Sequence, residues 1–149
     1  EALEISRSGG NVLLESWGLT ELAEVALAMQ RLDLVDACVR RSLALLEPDR
    51  PWYGLPGRLE IVRGRLAAAS HGWEEADGHF ERAIAGTRAF ELPYDEARAH
   101  HAIATTALQR GAPGGRDQAI LALGRAGALF RQVGAERDLE TVTSTLARL

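Results

Sequence analysis

Gly72-Trp73-Glu74-Glu75-Ala76-Asp77-Gly78-His79-Phe80-Glu81-Arg82-Ala83-Ile84 is the stretch whose reading decides the fold. Gly72 ends one helix, and two residues later the acidic pair Glu74-Glu75 opens another, where carboxylates suit the positive end of the helix dipole. Ala76, Phe80, Ala83 and Ile84 follow at i, i+4, i+7 and i+8 and so share one face. Small and large apolar side chains alternate along it, so a neighbouring helix can approach at the alanines and close around the phenylalanine. The stretch holds no catalytic grouping. It is a joint between two packed helices.

Composition agrees with an all-α protein. Hydrophobic residues make up 46% of the chain and charged residues 26%, enough for one domain with its own core and too apolar for extensive disorder. Aromatics are only 5% and β-branched residues are sparse, which favours close-packed helices over strands. A net charge of −4 argues against direct nucleic-acid binding by this segment. No apolar run approaches the length of a membrane span and no signal peptide is visible; with the lone Cys38 fitting a reducing compartment, a cytoplasmic location is expected. Cys38 itself reads as a buried structural thiol. The chain opens on Glu1 within a helical pattern and is expected to be a fragment of a larger protein.

Periodicity and turn residues predict the helices. A helix tail over 2–7 ends at Ser8-Gly9-Gly10, and Asn11 caps a helix running to about Arg31. Its apolar side is read as Leu14, Trp17, Leu19, Leu22, Ala23, Ala26 and Met29, with Gly18 permitting close packing or a slight bend. Asp33 falls in the connector, and the next helix runs from about Leu34 to Glu47. Pro48, Pro51, Pro56 and Gly57 break the pattern, and Trp52 and Tyr53 are placed to plug the gap beside them. Further helices are predicted over about Leu59–Ser70, with an earlier start near Tyr53 as the alternative, and over about Glu74–Phe90, Pro93–Arg110 and Arg116–Val133, with a last one ending near Arg148 and facing inward through Leu139, Val142 and Leu146.

Taken in pairs, these helices repeat. Val35, Ala76 and Ala119 occupy matching places 41 and 43 residues apart, the longer step reflecting a short insertion at Gly111–Gly115. Ala23, Gly64 and Ala104 supply a small residue at the matching place in each first helix, where two helices must cross. One domain over 1–149 results, with repeats over about 11–50, 52–92 and 93–134 and a terminal helix over 135–149.

These residues resemble the tetratricopeptide repeat (TPR), whose pattern is a tiny residue in the first helix and Ala…Phe…Ala in the second. The second repeat matches with Gly64, Ala76, Phe80 and Ala83; the first departs with Val35, Val39 and Ser42, and the third with Leu123 in place of the aromatic. The period also exceeds the roughly 34 residues of the standard repeat. Longer helices of this kind, and the run Ala126–Ala135, are similar to the C-terminal repeat arrays of bacterial LuxR/MalT-type transcriptional activators and of cyclase-linked signalling ATPases. The resemblance implies a right-handed α-α superhelix of antiparallel helix pairs with a C-terminal capping helix. It implies a non-catalytic module that binds a protein, a peptide or a small effector within a signalling or transcriptional regulator. The alternative of a different class is a free-standing adaptor or oligomerisation scaffold, and apolar cut ends would allow a homodimer.

The residues offer no catalytic or metal constellation. His100-His101 are adjacent and point about 100° apart, which does not suit chelation of one ion. Glu74-Glu75 serve a helix start, and Gly111–Gly115 lacks the lysine and hydroxyl of a phosphate-binding loop. No cofactor is implied. What remains is the side lined by the first helices, where arrays of helix pairs usually bind. Registering the repeats puts Trp17, Thr20, Glu24 and Leu27 beside Arg58, Ile61, Arg65 and Ala68, and these beside Arg98, His101, Thr105 and Leu108. Trp17, Glu24, Arg58, Ile61, Arg65, Arg98, His101 and Thr105 are the candidate binding residues. Three guanidinium groups in one groove suit a carboxylate or phosphate. As surface residues, Arg58 and Arg65 are expected to tolerate replacement by glutamate with little loss of stability.

Overall fold

The computed structural model describes residues 12–46 and 52–149, the side chain of Tyr53 excepted. Seven α-helices and no strand occur among them: α1 (Val12–Ala28), α2 (Leu32–Leu45), α3 (Leu55–Ala69), α4 (Trp73–Ala89), α5 (Pro93–Arg110), α6 (Gly115–Val133) and α7 (Glu136–Leu146), with a 3-10 turn (Trp52–Gly54) ahead of α3. The expected helix tail over 2–7, the Asn11 cap and the prolines at 48 and 51 lie outside the described residues. Asp33 lies in the first turn of α2 and not in a connector, because the reversal before it takes only three residues, Met29 to Arg31. α3 begins at Leu55, between the two starts expected, near Tyr53 and at Leu59, since Pro56 sits in its first turn where no N–H is needed.

One reversal occurs four times. Gln30, His71, Glu91 and Gly134 each take a left-handed conformation, with φ between 53° and 72°. The residue after each, Arg31, Gly72, Leu92 or Ala135, has φ from −81° to −103° and ψ from 68° to 74°. Its N–H reaches back five residues, to the carbonyls of Ala26, Ala67, Thr87 and Phe130, each at 2.9 Å. This is the six-to-one bond of a Schellman motif, and it satisfies a carbonyl that the ending helix leaves open. The α5–α6 connection is the exception. Gly111 is left-handed like the others, but Ala112-Pro113-Gly114 intervene before α6, which accounts for the longer second step.

Three apolar clusters fill the array, and each joins one helix pair to the first helix of the next. Val35, Cys38 and Val39 of α2 meet Leu59 and Val62 of α3; Ala76, Phe80 and Ala83 of α4 meet Ala99 and Ala102 of α5; Phe130 of α6 meets Val142 of α7. Val142 is fully buried, with Leu139 and Leu146 packed at the cluster edge, as the spacing in α7 predicts. Cys38 is buried, and burial raises its thiol pKa, which suits an inert core residue. The first helices pack on one another, α1 on α3 and α3 on α5, more closely than the second helices do. Their shared side becomes the inner surface of the array.

α1 keeps Leu19, Ala23 and Ala26 of its predicted face inside and departs from it at the other four positions. It buries Glu15, Ser16, Leu19, Thr20, Ala23 and Ala26, while Leu14, Trp17, Leu22 and Met29 are exposed. The reason is polar pairing with α2: the Ser16 and Ser42 hydroxyls hydrogen-bond in the interior, and Arg41 holds Glu15 at 3.1 Å. These pairs let polar residues sit inward without an unsatisfied group. Apolar character alone misassigns this helix because it is apolar on two sides.

The tightest crossing is Gly64 of α3 against Phe80 of α4. A Cβ added at Gly64 would stand 2.4 Å from Phe80 Cε1, and Phe80 is walled in at 1% exposure. Gly64→Ala is therefore expected to destabilise by about 1–3 kcal/mol despite its better helix propensity. Phe80→Ala is expected to lose about 3–5 kcal/mol through the cavity left behind. In the double variant, urea unfolding should show Gly64→Ala neutral or stabilising, because the ring it strikes is gone. Additive losses would mean that the two residues do not meet.

Candidate functional site

The inner surface is organised by five charges that alternate across three first helices. Arg58 Nε of α3 donates to Asp95 Oδ2 of α5 at 2.8 Å. Asp95 Oδ1 lies 3.7 Å from Arg98, one helical turn along. Arg98 in turn donates to Glu24 of α1 at 2.7 Å, and Arg65 of α3 pairs with the other Glu24 oxygen. Local structure fixes each place: Arg58 and Arg65 are two turns apart on one face of α3, and Asp95 and Arg98 are neighbours on α5. Arg98 reaches past α3 to α1, so the three helices are gathered at this line.

The arginines are therefore not solvated surface groups, and the expectation that Arg58 tolerates glutamate is overturned. Asp95 is only 1% exposed, and Arg58 supplies its one hydrogen bond of good length; its Oδ1 accepts none. A buried carboxylate stripped of its partner loses far more than a surface pair. Arg58→Ala is expected to destabilise by about 3 kcal/mol, and Arg58→Glu by more, as read by urea denaturation.

Beside this ladder opens a groove of about 770 Å³, crossing the first helices from α1 to α7. Of the residues expected from sequence, Ile61, Arg65, Arg98, His101 and Thr105 line it. Ile61 is 2% exposed and forms the floor. Thr105 donates its hydroxyl to the His101 carbonyl at 3.0 Å. Trp17, Glu24 and Arg58 are not among the lining residues: Trp17 is half exposed with its indole N–H 3.3 Å from Glu21, and the other two belong to the ladder. Trp73, Gln30, Gln109 and Asp138 line the groove without having been expected. Their signal was present. Leu32 and Trp73 both follow a left-handed turn at a 41-residue step and both face the groove. Asp138 accepts from Tyr94 at 3.3 Å from the first turn of α7, the place Asp95 holds in α5.

The groove is lined by apolar and polar groups in near-equal measure and is not strongly positive, because Glu24 and Asp95 answer the arginines. Burial, with Arg65 nearby, lowers the pKa of His101, which leaves it a neutral donor and acceptor at pH 7. On the outer side, His79 is buried, with Nδ1 2.7 Å from Glu60 and 2.8 Å from Arg82. Burial pushes Glu60 upward, but its hydrogen bonds with His79 and Arg82 prevail and hold it below the usual carboxylate value. This cluster ties α3 to α4. No group of three or more His, Cys, Asp or Glu side chains suited to a metal occurs among the described residues. Comparison of the chain with protein-family models, with curated proteins and with solved structures returned no match.

His100 is buried beside Glu96, Arg88 and Arg125, and burial lowers its pKa as it does that of His101. Both imidazoles resist protonation when folded but not when unfolded, so the unfolded chain binds more protons as pH falls through the ordinary value of 6.5. Stability should therefore be full above about pH 7 and decline on acidification toward pH 5.5. Urea midpoints at pH 7.5 and 5.5 should draw together in the variant carrying both His100→Gln and His101→Gln. An unchanged gap would remove these histidines from the pH response.

Proposed function

We propose that this chain is a non-catalytic TPR-like interaction and ligand-sensing module of a cytoplasmic bacterial signalling or transcriptional regulator, of the LuxR/MalT or cyclase-linked kind. The observation that carries the reading is the single groove shared by the first helices of successive pairs. A surface made from several repeats reads an extended peptide or a polar effector, because each pair contributes one row of side chains. Trp73 offers an aromatic wall, and His101, Gln109 and Gln30 offer neutral hydrogen-bonding groups. A ligand carboxylate would meet Arg65 and Arg98 in competition with Glu24, which already holds them. The occupant is accordingly a peptide or metabolite with mixed polar groups and one carboxylate, rather than a polyanion. Its binding would bias an adjoining effector domain between two states.

Thr105 is exposed on the groove wall, so Thr105→Trp fills the groove without touching the core. A library of short peptides with free C-terminal carboxylates and of small organic acids, screened by calorimetry, should yield binders that lose at least tenfold in affinity to Thr105→Trp. Ser144→Trp, on the exposed side of α7, should bind them as the parent chain does. Equal affinity for the parent and Thr105→Trp would place the binding surface elsewhere.

A further inference from the structure

Among the described residues, the guanidinium and carboxylate groups that line the groove are those of Arg65, Arg98 and Asp138. Both arginines pair with Glu24. Asp138 enters no ion pair with any described residue: its Oδ2 accepts from the Tyr94 hydroxyl at 3.3 Å, and its Oδ1 accepts no hydrogen bond. The start of α7 does not need it, because Glu136 already stands in that first turn, where a carboxylate suits the helix dipole.

The repeat shows what this carboxylate lacks. Asp138 is the third residue of α7, as Asp95 is the third residue of α5. Asp95 is answered from the preceding first helix by Arg58, at 2.8 Å. With Gly64 and Ala104 as matching residues, Arg58 corresponds to Arg98. Arg98 is thus the residue that the repeat supplies for Asp138. It is drawn instead to Glu24, at 2.7 Å, and stands 3.7 Å from Asp95. The pairing that neutralises Asp95 is therefore not made at Asp138, and the unanswered charge in the groove is negative.

We infer that Asp138 receives a primary ammonium group of the ligand, which takes toward Asp138 the part that Arg58 takes toward Asp95; this rests on the groove being the binding surface. An ammonium fits better than a guanidinium. Tyr94 already engages Oδ2, and a guanidinium is held best through both carboxylate oxygens, whereas an ammonium needs only Oδ1. Aromatic rings stand close by: Tyr94 meets Phe130 edge to face with centroids 5.7 Å apart, and Phe130 and Trp73 line the groove with Asp138. Arg65 and Asp138 both act on the charge of His101, in opposite directions, which brings the two ends of the site within reach of one side chain. An occupant with a carboxylate toward Arg65 and Arg98 and an ammonium on Asp138 is a zwitterion. Its amine comes from a free amino acid, from a peptide N-terminus or from a lysine side chain.

The test is a tetrapeptide library titrated by calorimetry, with single amino acids beside it. Each sequence is made with a free and with an acetylated N-terminus, and with lysine, norleucine or arginine at its third position. Binders that weaken on Thr105→Trp should require a primary ammonium, and the form that binds identifies its source. Asp138→Asn keeps an oxygen for the Tyr94 hydroxyl and should melt with the parent chain. It should weaken the ammonium-bearing forms by about tenfold, to the level of their acetylated or norleucine counterparts, and Asp138→Glu should recover most of the loss. Tyr94→Phe frees Oδ2 and should raise the arginine sequences to the level of the lysine ones, a change that a purely structural tie between α5 and α7 does not predict. Comparing free with blocked amines on the parent chain needs no variant to fold. Binders that weaken on Thr105→Trp but ignore both acetylation and Asp138→Asn would overturn this inference and leave the groove standing as the binding surface. Binders indifferent to Thr105→Trp, or none at all, would remove both.

Discussion

Everything in this array depends on how the chain reverses between helices. A left-handed residue followed by one at ψ near 70° recurs at four of the reversals, and the five-residue hydrogen bond holds each of them. The turn closes the first two pairs, at Gln30 and at His71, and leads from α4 into α5 at Glu91 and from α6 into α7 at Gly134, while α5 and α6 are joined by the longer loop. The constraint is strong enough that glutamine, histidine and glutamate accept a backbone conformation that side chains disfavour by about 1–2 kcal/mol per residue. Packing gained along the whole following helix outweighs that local cost.

From the common turn follows the charged line on the inner surface. First helices that approach one another bring their polar rows together, and rows of arginine alone would repel. Glu24 and Asp95 resolve this by standing between guanidinium groups. The same arrangement sets the character of the groove beside it. Its arginines are spoken for and burial holds His101 neutral, so a ligand bound beside these groups would be recognised through shape, an aromatic wall and uncharged hydrogen bonds.

Much of the fold was legible in the sequence, because glycine, proline and 3.6-residue spacing act locally. Pro93 and Gly134 bounded their helices, and Ala76, Phe80 and Ala83 are buried as their spacing required. The failures have a common physical cause. Which side of α1 faces inward depends on hydroxyl and ion pairs with α2, residues 26 positions away, and no local pattern reports them. The candidate site was half legible. Register placed Arg65, Arg98 and His101 on the groove, but the carboxylates that engage the arginines come from other repeats, and the pairing appears only when the helices are stacked. Trp73 opens α4 ahead of the spacing that marks the buried face, so no periodicity points to it.

The bond from Arg98 to Glu24 joins residues 74 positions apart and links the first helix pair directly to the third. Arrays of helix pairs ordinarily behave as one-dimensional chains, each unit sensing only its neighbours, so that ends fray independently and unfolding proceeds unit by unit. Here a second-neighbour coupling is added to that scheme. Loss of α1 leaves Arg65 and Arg98 facing each other without Glu24, which loosens α5 as well as α3. The effect is to lengthen the cooperative unit. The three pairs are accordingly expected to melt and form together rather than unit by unit.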